Sequence, residues 1–166
     1  LEDEACQDYL TGLLNRRGLE AAADALDGKD MPLAVYLFDL DNLKHINDTF
    51  GHMRGDQTIS AFAELLREQT RESDILSRFG GDEFVVIMKQ MKSGESAVKK
   101  GEDICRSICE YPFADNVRAC CSAGVVIWDT RKPLPAILEY ADQALYRAKA
   151  ENKGGCCMWE DGYEYP

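Results

Sequence analysis

The stretch Arg78-Phe-Gly-Gly-Asp-Glu-Phe84 lies between two apolar runs, Ile75-Leu76 before it and Phe84-Val-Val-Ile87 after it. Apolar, β-branched segments on either side of a Gly-Gly pair predict two antiparallel strands joined by a tight hairpin. Two-residue turns need positive φ, which glycine supplies without steric cost. Asp82 and Glu83 follow the glycines directly. Acidic residues at a glycine tip point to a cation, and a cation beside a gap free of side chains points to phosphate.

A second acidic site lies upstream. Ala34-Val-Tyr-Leu-Phe38 is an apolar, β-prone run that stops at Asp39-Leu40-Asp41. A buried strand ending in acids suits a hard cation, since Mg²⁺ takes one or two carboxylates plus substrate phosphate oxygens. Asn42-Leu-Lys-His-Ile-Asn-Asp48 comes next, then Phe50-Gly-His-Met-Arg-Gly-Asp56.

The remaining pattern predicts helices over 15–26, 55–70, 94–110 and 133–151. Strands are predicted over 33–39, 74–79, 83–88 and 117–127, with a short one at 156–159. Pro133 is acceptable at a helix start, and Gly124 marks a bulge or a close approach within its strand. The inner order of strand, helix, strand, strand, helix, strand is the ferredoxin-like βαββαβ pattern, an α+β palm-type antiparallel sheet with flanking helices on one face. In that topology the third strand lies between the first two. Asp39 therefore meets Asp82 and Glu83, and two distant acidic motifs become one metal site. Such a site holds two Mg²⁺ (or Mn²⁺) ions that activate an attacking hydroxyl and stabilise a leaving pyrophosphate, as in the polymerase palm and the nucleotide cyclases. Backbone N–H groups of Asn42 and Leu43, assisted by Lys44, can cradle phosphates.

The 166 residues form one domain, with no internal repeat or low-complexity linker. Net charge is −11, from 30 acidic against 19 basic residues, which argues against a broad nucleic-acid or anionic-membrane surface. No apolar run is long enough to span a bilayer and no signal peptide is present. The seven cysteines are odd in number and contain no CxxC pair, so they read as reduced thiols of a cytoplasmic protein. The opening Leu1-Glu-Asp-Glu-Ala reads as a domain cut at a helical linker from a longer chain, one that can carry a membrane anchor.

Several motifs together resemble the GGDEF-domain diguanylate cyclases. They are Asp8-Tyr-Leu-Thr-Gly-Leu-Leu-Asn-Arg-Arg17, Asp39-Leu-Asp-Asn-Leu-Lys-His-Ile-Asn-Asp48, Gly51-His-Met-Arg-Gly-Asp56, Arg78-Phe-Gly-Gly-Asp-Glu-Phe84, Ser122-Ala-Gly-Val125 and Ala141-Asp-Gln-Ala-Leu-Tyr-Arg-Ala-Lys149. The resemblance implies a transferase that joins two GTP into cyclic di-GMP and releases two pyrophosphates. It implies Asp39 and Asp82 as metal ligands, the Leu40 carbonyl as a backbone ligand, and Glu83 as a further ligand or a base near the attacking 3′-hydroxyl. Asn47 and Asp56 would read guanine, the carboxylate accepting from N1–H and N2–H₂. Gly80 and Gly81 would let the nucleotide lie close, and Lys44, Lys149 and Lys153 would contact phosphate. The family usually has Arg where Lys153 stands, and lysine lacks the bidentate fork.

Arg71-Glu-Ser-Asp74 stands where many members carry an RxxD inhibitory site, which implies feedback by cyclic di-GMP through Arg71 and Asp74. His52, Arg16, Arg17, Tyr140 and Tyr146 read as structural, and Asp41 and Asp48 as helix caps or solvated acids. Partners implied are GTP, the cyclic product, a second copy for catalysis and an N-terminal sensor. Two other readings stand beside this one: a catalytically silent receptor for GTP or cyclic di-GMP, and a cyclase with a different cyclic product. Asp56 favours guanine over adenine.

Overall fold

A computed structural model describes residues 4–151 and 154–162. The strands β1 (Leu33–Leu40), β2 (Ile75–Arg78), β3 (Glu83–Met88), β4 (Cys121–Trp128) and β5 (Cys156–Met158) form one sheet in the order β2-β3-β1-β4-β5. The helices are α1 (Arg16–Asp24), α2 (Leu43–Phe50), α3 (His52–Gln69), α4 (Gly94–Cys109) and α5 (Leu134–Glu151). β3 runs between β1 and β2 and antiparallel to both, as the βαββαβ pattern predicts. β5 pairs parallel with β4, so the complete sheet is mixed.

All eight residues of β1 are buried, because both faces of the sheet are covered. Ala34, Tyr36, Phe38 and Leu40 face α2, α3 and α4, while Leu33, Val35 and Leu37 face α1 and α5. The expectation of helices on one face therefore holds for the inner βαββαβ unit alone. α1 and α5 lie outside that unit and close the opposite face. On the first face Phe62 of α3 meets Phe38 and Phe84 edge-on, with ring centroids 5.7 and 4.9 Å apart. Each such buried side chain contributes about 1.5–3 kcal/mol. On the second face Gly124 marks a close approach: a Cβ there would lie 2.1 Å from the Ala141 carbonyl oxygen.

Two local features differ from the sequence reading. The segment between β1 and α3 folds as its own short helix, α2, because Leu43 and Ile46 place an apolar stripe on the core. Gly51, at φ 94°, then breaks the chain direction before α3. Residues 117–120 precede β4 rather than belonging to it, after a turn in which Asp115 and Asn116 both have positive φ. Tyr140 packs as expected, stacked on Trp159 at 4.0 Å, whereas Tyr146 is 56% exposed. All seven cysteines are free thiols.

Candidate active site

Asp39 is the penultimate residue of β1 and pairs across the sheet with Glu83, the first residue of β3. The next rung is held by the Leu40 N–H, which donates to the Asp82 carbonyl at 3.0 Å. The topology thus brings Asp39, Leu40, Asp82 and Glu83 to one end of the sheet. The hairpin itself differs from the two-residue turn anticipated. Residues 79–82 form the connection, Phe79 and Gly80 N–H groups both donate to the Glu83 carbonyl, and neither Gly80 nor Gly81 has positive φ. The turn therefore does not require these glycines. A Cβ on Gly81 would meet nothing within 4 Å, so its effect is to leave backbone open to approach.

The hairpin is held from behind. Arg78 donates to the Gly81 carbonyl at 2.8 Å and lies 3.3 Å from Asp8, whose carboxylate also accepts from Thr11. The Arg16 guanidinium sits 3.9 Å from the centre of the Phe79 ring and donates to the Phe79 carbonyl at 2.9 Å. The sequence predicts a structural role for Arg16 in the N-terminal segment. Its structural role proves to be a tie between α1 and the acidic hairpin, 63 residues away in sequence.

Asp39 is 9% exposed, and its Oδ1 is buried without a hydrogen-bond partner among the described residues. Its Oδ2 accepts from Lys149, one turn from the end of α5. Burial first, then the neighbouring Asp82 and Asp41 charges, push the Asp39 carboxyl up to about 6 against the pull of Lys149. Burial and the charges of Asp82 and Asp142 also raise Glu83, with Arg16 and Lys149 opposing. Burial works against the Lys149 ammonium, but its bond to Asp39 prevails and holds its pKa above the usual lysine range.

Among the described residues no three Asp, Glu, His or Cys side chains are disposed to enclose a metal by themselves. The donor set nevertheless fits a hard cation. An orphaned buried carboxylate oxygen, with further acids beside it, is the half-built shell that a substrate phosphate and water would complete.

Asp41 departs from the reading of a cap or a solvated acid. It accepts from Ser122 Oγ at 2.8 Å and lies 3.9 Å from Lys149 Nζ, so it belongs to the same cluster. No local signal distinguished it, because Ser122 and Lys149 reach it only through the tertiary fold. Asp41, Asn42, Cys120, Lys149 and Gly154 line a hollow of about 680 Å³.

Asn42 precedes α2 and spends its side chain on the Arg118 carbonyl and the Cys120 N–H, which leaves the helix N-terminus at Leu43 uncapped by a side chain. Lys44, expected at the phosphates, lies on the outer face of α2 with its side chain 89% exposed and paired with Asp48 at 2.7 Å. Lys153 lies outside the described residues.

Asn47 of α2 packs against Gly55, the residue before Asp56, at the corner between α2 and α3. Gly55 permits this, because a Cβ there would fall 1.7 Å from Asn47 Oδ1. Asp56 is exposed beside it.

At the far end of β2 the RxxD pair divides. The Asp74 side chain is 2% exposed and accepts from the Arg71 N–H and the Lys89 N–H, both at 2.9 Å. Each carboxylate oxygen accepts one backbone N–H, which fixes Asp74 beside Arg71 just before β2. The Arg71 side chain is 55% exposed.

Residues 5–155 match the family described as "Diguanylate cyclase, GGDEF domain". The chain belongs to that family. Diguanylate cyclase DgcP of Pseudomonas aeruginosa is 40% identical over 90% of this chain and 24% of its own length. The GGDEF domain spans about half of another curated relative, DgcZ of Escherichia coli, at 32% identity over 93% of this chain and 53% of that protein. Among solved structures, the isolated GGDEF domain of TpbB (YfiN) from Pseudomonas aeruginosa superposes with TM-score 0.80 at 34% identity, covering 93% of this chain and 94% of that one. No helix among the described residues of this GGDEF domain is long and apolar enough to cross a membrane.

Proposed function

We propose that this GGDEF domain is a diguanylate cyclase that condenses two GTP into cyclic di-GMP with release of two pyrophosphates. The observation that carries this reading is the meeting of Asp39, Asp82 and Glu83 beside a buried Asp39 carboxylate oxygen that has no partner among the described residues. The diguanylate cyclase relatives named above support it. Asp39 and Asp82, with the Leu40 carbonyl, would hold Mg²⁺ or Mn²⁺, two ions per site, which when bound neutralise phosphate charge and favour ionisation of the attacking hydroxyl.

The chain's own groups do the rest. Asn47 and Asp56 receive the guanine edge, and Gly80 and Gly81 admit the ribose and phosphates against the hairpin. The helix N-terminus at Asn42 and Leu43, with Lys149, receives the triphosphate. Glu83, with its raised pKa, is suited to take the proton of the 3′-hydroxyl as that oxygen attacks the α-phosphorus of the second GTP and pyrophosphate departs. Each site holds one GTP, so the reaction needs two copies face to face, and an N-terminal sensor would govern their pairing.

Incubation of concentrated protein with GTP and Mg²⁺, with chromatographic identification of products, tests this beside an Asp82→Ala control. Cyclic di-GMP from the parent alone supports the cyclase and the metal site together. Tight binding of cyclic di-GMP without any turnover would instead favour a receptor.

Feedback by the product is proposed to act through Arg71 and Asp74, Arg71 facing phosphate or a guanine edge and Asp74 accepting from guanine. Arg71→Ala is expected to raise the inhibition constant of cyclic di-GMP at least about tenfold, the scale of one lost charge-assisted contact. An unchanged inhibition constant in steady-state assays would remove this site from the account.

A further inference from the structure

Ser122 has no role in the reaction described above, yet its hydroxyl lies where three site segments meet. It is fully buried on β4, opposite Asp39 of β1. Oγ donates to Asp41 Oδ2 at 2.8 Å and accepts from the Gly154 N–H at 3.3 Å. A hydroxyl has one proton to give, so the two contacts fix its sense: proton toward Asp41, lone pair toward Gly154. The Asp41 N–H in turn donates to the Cys120 carbonyl at 2.9 Å, which holds that residue's backbone. The other Asp41 oxygen lies 3.9 Å from Lys149, whose ammonium also bonds Asp39. Lys149 is therefore shared between a buried acid proposed to take the cation and a second acid that is not.

We propose that Ser122 is a positioning residue for the triphosphate, acting through Asp41 and Lys149. The inference rests on the cyclase reading. A cation at Asp39 competes with the ammonium for the same carboxylate. Lysine is a mobile point charge on a four-carbon stem, so an ammonium displaced from Asp39 needs a second anchor to stay at the pocket. Asp41 is that anchor, and among the described residues Asp39 and Asp41 are the ionic partners of Lys149. Ser122 holds the Asp41 carboxylate in place, and the same hydroxyl sets the segment after α5 against it through Gly154. The Lys149 ammonium then stays at the hollow that it lines with Asp41, Asn42 and Gly154, facing the phosphates.

The test is calorimetric titration with guanosine 5′-[α,β-methylene]triphosphate and Mg²⁺, in which the bond to be broken is blocked, alongside guanosine itself. Ser122→Ala should weaken the analogue about tenfold, on the scale of a lost hydrogen bond to a charged group, and leave guanosine within about twofold. In turnover, KM for GTP should rise by a similar factor while kcat changes less. Asp41→Asn should reproduce the effect, and it carries the comparison if Ser122→Ala fails to fold. In a Lys149→Met background Ser122→Ala should cost nothing further.

Equal analogue affinity for parent and Ser122→Ala overturns the proposal. So does an equal loss with and without Lys149, which would mark general loosening. A parent that turns over GTP while Ser122→Ala matches it leaves the cyclase reading standing and defeats this inference alone. A parent that fails to bind the analogue defeats both.

Discussion

Asp39→Asn is expected to lower cyclic di-GMP formation by about a hundredfold to a thousandfold while making the metal-free protein more stable. The loss follows from removing an anionic ligand at the centre of the proposed cation site. The gain follows from the same position without metal. Asp39 is a buried carboxylate with one unpartnered oxygen, and Asp82 and Asp41 stand near it. Its pKa is raised to about 6, so ionisation is less favourable in the folded chain than in the unfolded one.

The sign follows directly. A raised carboxyl contributes stability that is complete below the ordinary range near 4 and is lost as pH rises through about 6. At neutral pH the deficit is on the order of 3 kcal/mol, or about 6–12 °C in Tm. Thermal melts in chelator should therefore show the variant melting above the parent at pH 7.5, with the gap closing toward pH 4. Excess Mg²⁺ should raise the Tm of the parent but not of the variant. A variant that melts below the parent in chelator at pH 7.5 would contradict the assignment of strain to this carboxylate.

Gly124→Ala is expected to cost about 3 kcal/mol or more, because the new methyl has nowhere to go. Its Cβ would lie 2.1 Å from the Ala141 carbonyl oxygen, 2.4 Å from the Leu145 nitrogen and 3.0 Å from the Ala144 carbonyl carbon. These are backbone atoms of α5, so no rotamer change relieves the overlap and the whole helix must retreat from β4. Lys149 rides on α5 and would retreat with it, so activity should fall even in molecules that remain folded. Gly28→Ala is the matched control, since a Cβ there meets nothing within 4 Å and should change stability by no more than about 0.5 kcal/mol. Chemical denaturation of the two variants makes the comparison. Similar stabilities would mean that α5 does not press on β4 as described.

Much of this arrangement was legible in the sequence, for identifiable reasons. The apolar, β-prone runs located the strands, and their order with the intervening helices fixed which strands are neighbours. Adjacency of β1 and β3 then followed, and with it the meeting of Asp39 with Glu83. What escaped was whatever depends on long-range contact. Asp41 looks like a cap from its neighbours, and its membership of the cluster appears only when Ser122 and Lys149 arrive from 81 and 108 residues further along the chain.

Arg16 and Phe79 likewise carry no shared local pattern. Lys44 shows the same limit: its place in the motif was legible, its pairing with Asp48 on the outer face of α2 was not. The Gly-Gly pair was correctly read as a hairpin tip and incorrectly as its turn, because four residues, not two, make the connection.

The placement of β1 has a consequence for how a bound nucleotide is gripped. Flanked by β3 and β4 and covered on both faces, this strand should exchange its amide hydrogens only when the whole domain opens. The corner that would hold the base is built otherwise, with Phe50, Met53 and Asp56 all exposed and a left-handed glycine between two helices. One ligand would thus be clasped at its phosphates by the slowest-exchanging part of the molecule and at its base by a far quicker one. Drift in base preference can then accumulate at the corner while the chemistry at the other end stays fixed.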